Sequence, residues 1–218
     1  MKSLISIITL LMLNLIAFGQ GVNFEHITFD EALAKAKAEA AKEKRMIFMD
    51  CYTSWCGPCK YMTETIFPQE KAGEFFNPKF VCVKFDMEKG EGPELAKRFG
   101  VRAYPTFLIL RPDGTVQHKI VGGGDLDKFI AKVEKGLNEK TSLDYLNKIH
   151  EKGKMNKKQL MTYSVVLNEA YEKDKSEKVG KELDAVLKEK DKMKKEYWPI
   201  LERSPYGSDN FKLVLNNI

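Results

Sequence analysis

Histidine is scarce in this sequence: His26, His118 and His150 are the only three in 218 residues. They are scattered, and no Ser/His/acid set forms around any of them, so a hydrolytic triad has no candidate residues. All three read as surface residues. Long apolar runs are also missing. The longest covers residues 4–18, short of the ~20 residues a membrane-spanning helix needs. Nor is charge of one sign concentrated. The 36 Lys+Arg and 31 Asp+Glu leave a formal +5, spread over interspersed Lys and Glu. No aromatic-rich basic motif accompanies that charge, so nucleic-acid binding is not expected. Cysteine is limited to four, and what they do depends on where the chain resides.

What is present suits a soluble globular protein: 43% hydrophobic and 31% charged residues, enough chain for one ordinary domain and an extension. The N-terminus has the layout of a secretory signal. Met1-Lys2-Ser3 is a positive start, residues 4–18 are apolar, and Ala17-Phe18-Gly19 sets small residues before a cut that leaves Gln20 first. No Cys follows the cut, which argues against a lipid anchor. The expectation is an exported protein, periplasmic or extracellular, with no stable membrane insertion once the signal is gone. Outside the cytosol most Cys pairs are structural, but a separation of only two residues favours redox chemistry.

Patterning predicts an α/β order. A helix over 30–44 is capped by Asp30, a buried strand follows at 46–51, and a second helix starts at Cys56. Further strands are expected at 80–86, 106–110 and 115–121. A short helix at 94–99 ends at Gly100, and an amphipathic helix covers 126–137. The turn Arg111-Pro112-Asp113-Gly114 makes its two strands antiparallel, so the sheet is mixed. Beyond about residue 140 strand signals fade. Helix faces are carried by Leu143, Leu146 and Ile149, by Leu160, Tyr163, Leu167 and Tyr171, and by Val179, Leu183 and Val186. The organisation expected is a signal at 1–19, an α/β domain at 20–140 and a helical extension at 141–218.

Trp55-Cys56-Gly57-Pro58-Cys59-Lys60 follows a buried strand and opens a helix. Cys56 would sit at the helix N-terminus, where free N–H groups and the macrodipole favour an anion, and a thiolate is the reactive form of cysteine. Cys59 lies one turn on, close enough for a small disulfide. Pro58 lacks an N–H that is not needed there, and Gly57 leaves the Cys56 sulfur open. A purely structural bond over so short a loop constrains little, so a catalytic pair is favoured.

This segment resembles the active site of the thioredoxin family. Met49-Asp50-Cys51-Tyr52 resembles the family strand with a buried acid. Residues 100–106, with Tyr104-Pro105, resemble the cis-proline segment, and Val121-Gly122-Gly123 the closing strand. The similarity covers roughly residues 24–137, and the leading helix with Tyr52-Thr53-Ser54-Trp55 looks most like exported thioredoxin-like proteins and the C-terminal domain of membrane disulfide reductases. It implies a three-layer fold, a mixed central sheet flanked by helices, with the helical extension added. It also implies roles. Cys56 attacks substrate disulfides, Cys59 resolves the mixed disulfide, Asp50 moves a proton to or from Cys59, and Lys84 tunes Asp50. Trp55, Gly57, Pro58, Tyr104, Pro105 and Gly122 would contact substrate. Tyr104 departs from the smaller aliphatic residue common in the family.

The resemblance implies no cofactor and no metal. Cys51, Cys56, Cys59 and Cys82 formally match an iron–sulfur spacing and could hold zinc, but Cys51 belongs to a buried strand. Cys51 and Cys82 read as buried free thiols, with a second pair as the lesser reading. The Gly-Pro dipeptide favours a reductase of envelope-protein disulfides fed by a membrane electron donor. Alternatives are an oxidase or isomerase of exported disulfides, or a partner-binding module whose redox site is secondary.

Overall fold

A computed structural model describes residues 21–43, 45–192, 194, 197–198 and 207–216. The expected signal at 1–19 lies outside these residues. The chain divides into two compact units. One holds the described residues through Val116 together with Val121–Val133, and the other holds Gln117–Ile120 and the described residues from Glu134 onward.

Five strands make one mixed sheet: β1 (Phe24–Glu25), β2 (Met46–Tyr52), β3 (Phe80–Asp86), β4 (Thr106–Leu110) and β5 (Val116–Val121), in the order β1-β3-β2-β4-β5. β3 runs parallel to β1 and β2, while β4 runs antiparallel to β2. The helices of this part are α1 (Phe29–Glu43), α2 (Gly57–Tyr61), α3 (Glu70–Phe76), α4 (Gly92–Phe99) and α5 (Leu126–Leu137). β1 and α3 were not expected from the sequence. β1 is two residues long, too short to carry a periodic signal.

The start of α1 differs from expectation. Thr28 Oγ1 accepts from the Glu31 N–H at 3.2 Å, and Glu31 returns a carboxylate to the Thr28 N–H at 2.8 Å. This reciprocal box makes Thr28 the cap and places Asp30 inside the helix. α4 does end at Gly100, which takes φ 61°.

The two sheet faces have different cores. Met49, Cys51, Val81, Val83, Leu108 and Leu110 join Phe29 and Ala32 of α1 in one cluster. The opposite face is aromatic: Phe48 lies 4.7 Å from Phe76 and 5.6 Å from Phe107, and Phe107 lies 4.7 Å from Phe129. Offset and edge-on rings at these separations add attraction beyond area burial.

The second unit contains α6 (Leu143–Glu151), α7 (Lys157–Glu169), α8 (Lys173–Val186), α9 (Glu189–Lys192) and α10 (Asp209–Leu215). Leu143, Leu146, Leu160, Tyr163, Leu167, Val179 and Leu183 form its core, with Ile149 packed against it. Two expected face residues do not join. Val186 is exposed, and Tyr171 lies beyond α7, exposed and at φ 58°. His118 corrects the surface reading: it is 0% exposed. Its Nδ1 accepts from the Leu143 N–H at 3.1 Å, and Gln117 beside it donates to the Gly136 carbonyl at 2.8 Å. Burial, helped by the Lys135 cation, pushes His118 down to about 4. His26 is exposed, and His150 is partly buried against Glu182 at 2.7 Å.

Candidate active site

The β2 strand ends at Tyr52, and the chain turns through Thr53 and Trp55 into α2. Cys56 is the residue that caps this helix, and its Sγ accepts from the Cys59 N–H at 3.1 Å. Pro58 occupies the first turn, where its missing N–H is not required. Cys56 and Cys59 are joined by a disulfide, with their Cα atoms 5.3 Å apart. Each is only 3% exposed, so the bonded sulfurs are more covered than an open Cys56 implies. Gly57 is exposed, and a Cβ there would meet nothing within 4 Å.

α2 does not continue as a plain α-helix. Met62–Ile66 is a π-helical turn, closed by the Phe67 N–H donating to the Met62 carbonyl at 2.8 Å. Such widened turns collect at functional sites. Here the buried Met62 side chain occupies the space where Gly123 would carry a Cβ, 2.5 Å from its sulfur. Glycine at 123 therefore lets this loop approach the π-helical turn closely.

The Tyr104–Pro105 peptide bond is cis. Gly57, Pro58, Tyr61, Tyr104, Pro105 and Gly122–Gly124 line an open cleft of about 550 Å³. Trp55, 65% exposed, meets the Tyr104 ring edge-on at 5.9 Å. Its indole N–H is held by both Glu88 carboxylate oxygens at 3.0 Å. Tyr61 and Glu88 were not singled out from sequence, whereas the Gly122–Gly124 run was, as either a contact surface or a plain turn, and it does line the cleft. Glu88 carried no signal, because its contact joins residues 33 positions apart.

Asp50 is 1% exposed in the middle of β2, opposite Lys84 on β3 and Phe107 on β4. Its Oδ1 has no hydrogen-bond partner among the described residues. Burial pushes its carboxyl up to about 7, and the Lys84 cation pulls the other way. A group in that range exchanges protons at neutral pH, which suits it to general acid–base work.

Cys51 and Cys82 are both free and buried, and burial raises both thiols. Cys82 pairs in register with Phe48, three residues from Cys51. Strand alternation therefore sends the two sulfurs to opposite faces of the sheet. They cannot bond to each other, and the four cysteines cannot converge on one metal.

Known proteins resemble this chain over the part that carries the sheet. The thioredoxin family model matches residues 23–135. Thioredoxin-1 of Drosophila melanogaster is 37% identical over 91 residues, 38% of this chain and 79% of the fly protein. Thioredoxin F1, chloroplastic, of Arabidopsis thaliana is 40% identical over 96 residues, 44% of this chain and 49% of the plant protein. The match thus spans about half of that relative's length. The solution structure of a proposed disulphide-isomerase from Bacteroides thetaiotaomicron is 41% identical, with a TM-score of 0.49, and the match covers 55% of this chain and 96% of that one.

Proposed function

Because the chain belongs to the thioredoxin family and is a thioredoxin-like disulfide oxidoreductase, we propose that it is an exported reductase of disulfides in envelope proteins. The observation that carries this reading is a Cys56–Cys59 disulfide at a helix start, in a chain whose buried Asp50 has no hydrogen-bond partner for Oδ1 among the described residues. Residues 1–19 are its export signal, 20–140 its redox domain and 141–218 its helical extension. No helix among the described residues is long and apolar enough to cross a membrane.

In the reduced protein the Cys56 thiolate attacks a substrate disulfide. One S–S bond breaks, a mixed disulfide forms, and the first substrate thiolate leaves. Cys59 then gives its proton to Asp50 and attacks the Cys56 sulfur, releasing the second substrate thiolate and closing Cys56–Cys59. Two electrons have passed to the substrate. Lys84 tunes Asp50. Trp55, Tyr104 and Pro105 receive the substrate chain, with Tyr104 offering backbone groups to an extended segment, and Gly57, Pro58 and Gly122 keep the approach low. Electrons return from a membrane donor.

Cys59→Ser tests the assignment. One helical turn gives Cys59 a high effective concentration against the mixed disulfide, and serine cannot complete the exchange. The variant should accumulate envelope proteins as reducible adducts on Cys56, and adding Cys56→Ser should remove them. If no adducts form while the wild type reduces insulin, Cys56 is not the attacking thiol. Direction is read from the reduction potential against glutathione. A value near about −270 mV supports a reductase, whereas one near about −120 mV makes the protein an oxidant.

A further inference from the structure

Lys84 stands directly across from Asp50 in the parallel β2–β3 pair. Alternation puts Phe48, Asp50 and Tyr52 on one face together with Cys82, Lys84 and Asp86. A contact ion pair between Lys84 and Asp50 is the obvious arrangement for such neighbours, yet Lys84 makes none with any carboxylate among the described residues. Its Nζ instead lies 5.3 Å from the centre of the Tyr52 ring and 5.7 Å from that of Phe24. Both separations fall within the ~6 Å reach of cation–π attraction.

From this geometry we propose that Phe24 and Tyr52 are positioning residues, whose rings form a slot that holds the Lys84 ammonium beside the Asp50 carboxyl and out of contact with it. The proposal rests on the reading of Asp50 as the proton acceptor for Cys59. Direct contact would draw the carboxyl back toward the ordinary carboxylate range, and an ammonium released to solvent would leave burial unopposed. A fixed intermediate separation keeps Asp50 between these limits. The other charges acting on this region are few. Asp86 on β3 and Lys89 just beyond it act on Tyr52, β4 contributes the apolar Phe107 opposite Asp50, and Glu25 next to Phe24 is engaged by Lys35 at 2.7 Å. The rings are therefore the main non-ionic constraint on where the Lys84 charge sits.

The test titrates the Asp50 carboxyl directly by carbon NMR in the oxidised full chain, so that turnover does not enter. Lys84→Met should raise the midpoint. Tyr52→Leu should move it by roughly 0.5 pH unit relative to the effect of the same change in a Lys84→Met background, upward where the ammonium goes to solvent and downward where it closes on Asp50, and Phe24→Leu should also move it. Tyr52→Phe keeps the ring and should restore the wild-type midpoint. The slot is overturned if the leucine variants shift the midpoint equally in both backgrounds, or if Tyr52→Phe behaves as Tyr52→Leu. Failure of the underlying reading looks different: Asp50→Asn would then leave the pH profile of insulin reduction unchanged, whatever the titration shows.

Discussion

Two buried aspartates, one in each compact unit, have opposite fates. Asp191 is 5% exposed and fully engaged: Lys157 and Lys194 donate to it at 2.8 and 3.1 Å, and the Lys188 N–H adds a third bond at 3.3 Å. These partners hold its carboxyl well below the usual range. Asp50 is 1% exposed, with one oxygen unpartnered among the described residues, and burial lifts it to about 7. Burial alone therefore does not decide what an acid does. The partners supplied to it do, and in this chain the poorly supplied acid is the one on β2, the strand that leads into the Cys56–Cys59 helix.

The sharpest way to break this contrast is Asp50→Asn. The folded carboxyl titrates near 7, above an unfolded value of 3.8. In that window the folded state holds the extra proton, so stability from this group falls as pH rises from about 4 to about 7. At pH 8 the amide should stabilise the protein by up to about 4 kcal/mol, and at pH 4 by nearly nothing. Denaturant melts at the two pH values check this. Equal gains at both would mean that Asp50 is not buried without compensation. The same variant should slow release of the mixed disulfide at neutral pH.

His118 gives the next largest effect, with opposite sign. Its folded value of about 4 lies below an unfolded 6.5, so the unfolded state takes up the proton first. Stability should fall as pH drops from about 6.5 to about 4, by about 3 kcal/mol in all. Asn can still accept from the Leu143 N–H, so His118→Asn should remove that slope while keeping the fold. Since the Asp50 and His118 slopes oppose each other over nearly the same window, the wild type should look flatter than either variant. Hydrogen exchange followed separately in each unit would assign the slopes.

Asp191→Asn should have the smallest effect of the three. Its folded value is depressed, so the stabilisation is present above the unfolded value of about 3.9 and is lost as pH falls through the folded one. The variant should melt lower at pH 7, with the deficit shrinking below about pH 4. A deficit independent of pH would assign the loss to packing instead of ion pairing.

The parts legible in the sequence were those set by local chain chemistry. Cys56, Pro58 and Cys59 announce a helix start within four residues, and Gly100 announces a helix end. The longer strands were visible as apolar runs. What escaped was fixed by distant partners. His118 follows another buried polar residue, Gln117, and only the Leu143 N–H and the Gly136 carbonyl of later helices explain why both are inside. Glu88 looks like any solvated acid until Trp55 is placed against it. Thr28 outcompetes Asp30 as the α1 cap because Glu31 lies three residues ahead of it, a spacing the sequence did contain.

The bond from the Cys59 N–H to the Cys56 sulfur has a spectroscopic consequence. One sulfur is both the helix cap and the atom whose electron count changes in each cycle, so the Cys59 amide proton looks straight at the chemistry. Reduction to a thiolate strengthens that hydrogen bond, which should move the amide cross-peak downfield and slow its exchange with deuterium. A single resonance would then serve as a built-in, dye-free gauge of how much of a population is oxidised.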